Sequence, residues 1–161
     1  MRTPRLFLDI EASSPDEEGY PVVIAWSTRD GVIRNVLVCP DDDWTEWDTG
    51  FESGMGLTRE HLIDQGLSCK DVARLLAEDL AEETVYVDGL DPDELWLERL
   101  FEAARSELPF EIAPMNQFPE LADIPDLFER KRELLDEEGL TAFQAEHNVY
   151  VMLRLCEKAG S

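Results

Sequence analysis

Short apolar runs bounded by turn residues fill the first part of the chain, and apolar residues at three-and-four spacing take over beyond Thr58. Leu6–Ile10 predicts a first strand, Tyr20–Thr28 a second and Gly31–Pro40 a third. Asp30-Gly31 stands between the last two, and this pair suits the tight turn of a hairpin. A three-stranded antiparallel meander is the expected result. The stretch "DDDWTEWDTGFESGMG" that follows is acidic, aromatic and Gly-containing. It reads as a surface loop whose Trp44 and Trp47 either cover the sheet edge or flank a site, cover being the simpler role.

Helical signals come next. In "LTREHLIDQG" Thr58 is a candidate N-cap and Gly66 a stop, while "SCKDVARLLAEDL" opens on Ser68 with Asp71 three residues later, close to a capping box. Val72, Leu75, Leu76 and Leu80 then share one helical face. Thr84–Gly89 predicts a short buried strand. The helix "DPDELWLERLFEAARSE" follows it, with Pro92 in the first turn and Leu97, Leu100 and Phe101 inward. "PFEIAPM" predicts a fifth strand, and "IPDLFERKRELLDEEG" and "LTAFQAEHNVYVMLRLCEKAG" the last two helices. The order implies an α/β domain spanning residues 1–161, with a mixed five-stranded sheet flanked by helices.

Composition narrows the function. Hydrophobic residues make up 43% and charged residues 32%, as in a globular protein with a real core. No run approaches the roughly 18 apolar residues of a membrane span, and the start of the chain lacks the apolar core of a signal peptide. Cys39, Cys69 and Cys156 are far apart and form no metal pattern, so a reducing cytoplasm is the expected location. Asp and Glu total 37 against 14 Lys and Arg, for a net charge of −23. That opposes non-specific adhesion to nucleic acid, which depends on cations displacing counterions. It leaves room for a site that holds a short strand end through metal ions. A solvated acidic surface, or adaptation to a salty cytoplasm, produces the same charge.

Three acidic places carry the candidate chemistry. Asp9 and Glu11 end the first strand, and residues two apart in a strand point to the same side. Two such charges repel unless a cation lies between them. Asp88, Asp91 and Asp93 cluster at a strand-to-helix junction, where each also has the simpler use of a loop or N-cap residue. His147 enters the last helix. Carboxylates from separate elements can hold two Mg²⁺ or Mn²⁺ ions about 4 Å apart, with a His as base for the attacking water.

This order of motifs resembles the DEDDh branch of the DnaQ-like 3′–5′ exonucleases, which have an RNase H-like fold. The Asp-x-Glu of the first motif is matched by "FLDIE", and "GMGLTREHLIDQGLSCKDVARLL" is similar to the segment after the meander. The second motif, Asp two residues before bulky apolar ones, is matched by "DELWL" with Asp93. The third has a His followed five residues later by Asp, and His147 matches the His with Met152 in the place of the Asp. The resemblance implies a two-metal site of Asp9, Glu11 and Asp93, with His147 activating water. It implies a single-stranded nucleic-acid end or short oligonucleotide as substrate. A thioether is a poor ligand for Mg²⁺ or Mn²⁺, so Met152 implies weakened metal binding and little hydrolysis, with a gain expected on Met152→Asp.

Two functional classes follow. One is a metal-dependent 3′–5′ exonuclease, impaired by the missing carboxylate. The other is a catalytically inactive exonuclease-like fold that binds a nucleotide or a protein partner. Nothing in the sequence reads a base, so DNA and RNA are equal expectations, and substrate-binding residues are unassigned.

Overall fold

The first apolar run forms strand β1 (Leu8–Ala12), which pairs antiparallel with β2 (Pro21–Ser27). Strand β2 in turn pairs antiparallel with β3 (Ile33–Leu37), giving the expected meander. The β2–β3 turn closes through Gly31 N–H donating to Thr28 O, with Gly31 at φ +80°, where a β-carbon is strained. The computed structural model describes residues 3–14, 18–50, 52, 56–89, 92–142 and 144–159.

Helices α1 (Arg59–Gln65) and α2 (Cys69–Leu80) start where their caps direct. Thr58 accepts a hydrogen bond from His61 N–H and Ser68 from Asp71 N–H, each satisfying an otherwise orphaned donor. Gly66 ends α1 against the backbone of Val38 and Cys39, where a β-carbon would lie 2.5 Å from Cys39 N. Strand β4 (Thr84–Val87), helix α3 (Asp93–Ala103) and strand β5 (Glu111–Pro114) follow. Pro92 takes the N-cap position of α3 and not its first turn. Helices α4 (Leu127–Glu137) and α5 (Ala145–Ala159) complete the chain.

The sheet differs from the expected continuous five strands. Strands β4 and β5 form a separate parallel pair, joined to the meander by one parallel bridge, Phe7 to Tyr86. There Tyr86 N–H donates to Leu6 O at 2.8 Å. The same register continued for two residues would set Asp9 beside Asp88, but β4 ends at Val87. Two facing carboxylates gain nothing from a ladder there, and the two sheets part at that point.

Alternation along β1 sorts the core. Leu8, Ile10 and Ala12 join the apolar cluster of α2 and α3, with Ile24, Trp26, Leu76 and Leu97. Phe7 points the other way, into the cluster of α4 and α5 with Phe118, Leu134, Val149 and Met152. Asp9 and Glu11 have the parity of Phe7, so they face the α4–α5 side. Both faces of β2 are covered, which explains why all seven of its residues are buried. Trp44 covers the meander as expected, stacked on Tyr20 with ring centroids 5.2 Å apart.

Candidate functional site

A cleft of about 400 Å³ opens where β1 and β4 part. Strand β1 supplies Asp9, Ile10 and Glu11, the end of β4 supplies Asp88, and helix α4 supplies Phe128, Lys131, Arg132 and Leu135. Ala142 and Asn148, at the entry to α5, close it. Asp9 and Glu11 are each only 8% exposed although both carry carboxylates.

Asn148 is the residue that α5 turns toward Asp9. Its Nδ2 donates to Asp9 Oδ2 at 2.9 Å and to Ala142 O at 2.9 Å. A backbone carbonyl only accepts, so the amide nitrogen must be the atom on that side. Asn148 Oδ1 is buried with no hydrogen-bond partner among the described residues.

Lys131 is the second unexpected member. Its side chain is 6% exposed and its ammonium pairs with the Asp88 carboxylate. A lysine is rarely buried unless paired. The ammonium also acts electrostatically on Asp9, Glu11 and Asp93, lowering the pKa of each.

Burial nevertheless wins at all three acids, whose pKa values stand well above the ordinary carboxylate range. For Asp9, desolvation outweighs the help of Lys131 and the Asn148 hydrogen bond. For Glu11, desolvation is joined by the Asp9 charge and a hydrogen bond between the two carboxyls. Asp93 is buried in the first turn of α3, and desolvation together with Asp9, Asp88 and Glu11 raises it. The site holds more negative charge than its one ammonium neutralises, and protons make up part of the difference.

The remaining expected residues lie elsewhere. Asp93 is within electrostatic reach of the cluster, but Asp88 is the acid of that junction that lines the cleft. Asp91 lies outside the described residues. His147 is not among the cleft-lining side chains, and its Nδ1 accepts from Thr141 N–H at 3.2 Å. Met152 is fully buried in the α4–α5 cluster. It follows Asn148 by one helical turn on the same side, but α5 packs across β1, β2 and β3, and the side chain that bonds Asp9 stands in its first turn while Met152 lies in the apolar cluster. The position that meets Asp9 is therefore 148 and not 152. Five residues before it stands Phe143, outside the described residues, where the third-motif spacing would put a His.

The residues fit a pair of divalent ions poorly. Asn148 offers its amide N–H to Asp9, a donor where a metal needs an acceptor. Lys131 already places a positive charge against the carboxylates. Among the described residues, no three His, Cys, Asp or Glu side chains are arranged to hold a metal ion.

No protein-family model matches the sequence, and no curated protein matches it either. Solved structures do. The α/β fold is similar to that of part of exonuclease I. A structure of exonuclease I described as suggesting how processivity is achieved matches with a TM-score of 0.69 at 14% identity, covering 95% of this chain and 42% of that one. The zinc-bound Escherichia coli exonuclease I complex with single-stranded DNA matches at 0.72 and 14% identity, over 98% of this chain and 40% of that one. Product-bound exonuclease I gives 0.70 and 14%, over 98% and 44%. This chain thus spans about two fifths of the length of the structures it matches. No described helix is long and apolar enough to cross a membrane.

Proposed function

We propose that this chain is an exonuclease-type domain that keeps the cleft for a single-stranded nucleic-acid end or short oligonucleotide but has lost metal-dependent hydrolysis. The observation that carries the proposal is the Asn148 amide bonded to Asp9. A DEDDh-type site needs a fourth carboxylate beside the Asp-x-Glu pair, and here that neighbour is an uncharged donor. Hydrolysis of a phosphodiester by two metals relies on carboxylates to hold both ions against the attacking and leaving oxygens. Losing one ligand removes several kcal/mol of transition-state stabilisation, or a hundredfold to ten-thousandfold in rate at ~1.4 kcal/mol per tenfold.

Binding has its own support. Arg132 is exposed beside the cleft and Phe128, 42% exposed, is one helical turn from it on the same face of α4. A guanidinium for phosphate and an aromatic face for a base are the two elements of single-strand binding. The net charge of −23 opposes a long polyanion, so a short end is the expected ligand.

Fluorescence anisotropy with a short 5′-labelled single strand at low ionic strength tests this. The expected result is binding in EDTA that Mn²⁺ does not strengthen and Arg132→Glu weakens at least tenfold. No binding at low salt by the natural protein would refute it.

A further inference from the structure

We infer that Lys131 is the resident cation of this cleft, its ammonium holding Asp9, Glu11, Asp88 and Asp93 together in the place a metal ion would occupy. The inference rests on the reading that the cleft no longer holds the metals of a hydrolase, and it names what replaced them.

The backbone puts the ammonium there. Leu127, Lys131, Leu134 and Leu135 are the buried residues of α4, at the four-and-three spacing of one helical face. Lys131 thus sits at a core-facing position, while its sequence neighbours Arg130 and Arg132 are set outward, Arg130 pairing with Glu133 and Glu137. A lysine stem at such a position lies along apolar surface and delivers its charge at the end. The end meets Asp88, just past β4, which pairs with it, and it shares the cleft with Asp9 and Glu11 of β1, while Asp93 of α3 lies within its electrostatic reach. One ammonium paired with Asp88 and set among the carboxylates of β1 does structurally what a bound divalent ion does: it lets elements with like charge converge. It also competes with such an ion, because a metal entering the cleft must displace the ammonium or bear its repulsion.

Lys131→Met keeps the stem and removes the charge. Mn²⁺ binding read by the electron paramagnetic resonance of free Mn²⁺ should show a site in Lys131→Met at least tenfold tighter than any in the natural protein. Adding Asp9→Asn should abolish the new site. Equal Mn²⁺ affinity in the natural protein and Lys131→Met, including no binding by either, overturns the inference.

A second measurement needs no variant. The chain has three lysines, and Lys70 and Lys158 are exposed. Reductive methylation followed by mass spectrometry should modify Lys131 at least tenfold more slowly than Lys70, with no acceleration by Mn²⁺. Modification of Lys131 as fast as Lys70, or acceleration by Mn²⁺, overturns the inference. Neither measurement reads strand cleavage. Mn²⁺ displacing Lys131 without strand cleavage would sink the lysine's role and leave the loss of hydrolysis standing, whereas Mn²⁺-dependent hydrolysis would sink both.

Discussion

Asn148→Asp changes a donor into an acceptor at the contact on which the account turns. In the natural protein Asn148 Nδ2 lies 2.9 Å from Asp9 Oδ2 and 2.9 Å from Ala142 O. The substitution removes one hydrogen bond to a carboxylate, worth about 1.5–3 kcal/mol, and one to a carbonyl, worth about 1 kcal/mol. With both carboxylates ionised at that separation, repulsion at an effective dielectric constant near 20 adds about 6 kcal/mol. The pair escapes most of that by keeping a proton, since Asp9 is already held above the usual carboxylate range by burial. When protonated, the new carboxyl at this position can donate to Asp9 and restore the lost bond. The penalty should therefore be small at acid pH and large at alkaline pH: about 1 kcal/mol at pH 5.5 and about 4 kcal/mol at pH 8.5, on the same scales. The assay is urea denaturation of both proteins at the two pH values. With a slope of about 2 kcal/mol per molar, the midpoint deficit should grow from about 0.5 M to about 2 M. Equal stability at pH 8.5, or a deficit that does not grow with pH, would refute the geometry given for Asn148.

Three further outcomes follow from other residues. Met152→Asp should not create a metal ligand but place an unpaired charge in the core, lowering stability by more than about 3 kcal/mol without gain of Mn²⁺ binding; thermal melts with and without Mn²⁺ check it. The natural protein should lose stability with rising pH. Asp9 at about 7 and Asp93 at about 9 bind protons more tightly folded than unfolded, so their contribution is complete below about pH 4 and lost as pH rises through 7 to 9. Asp93→Asn should flatten that slope, which urea midpoints at pH 6 and pH 9 would measure. Ser68→Ala should cost about 1 kcal/mol, because only the Ser68 hydroxyl caps Asp71 N–H; circular dichroism melts read it.

The meander, the capped helices and the acidic strand end were legible because each has a local cause. Asp30-Gly31 turns the chain, Thr58 and Ser68 start helices, and two-residue spacing puts Asp9 and Glu11 on one side. The break between β1 and β4 was not legible, because it depends on Asp9 and Asp88 meeting from positions far apart in the chain. The residue of α5 that meets Asp9 was hidden for a related reason. His147 supplied a residue of the right type, and spacing from it led to Met152, whereas the sheet beneath α5 decides which turn of the helix reaches Asp9. Lys131 left a signal: it is the one charged residue on the otherwise apolar face Leu127, Leu134 and Leu135. A cation at an inward position predicts buried carboxylates opposite it, and the acidic constellation was already visible.

Mn²⁺-dependent release of mononucleotides from a 3′-labelled single strand is the most direct test of the loss of hydrolysis. The natural protein should release none above the rate seen in EDTA, and Asp9→Ala should leave that rate unchanged. Brisk release by the natural protein that Mn²⁺ supports and Asp9→Ala abolishes would contradict the account, because it would mean that the carboxylates work on a metal despite Asn148 and Lys131.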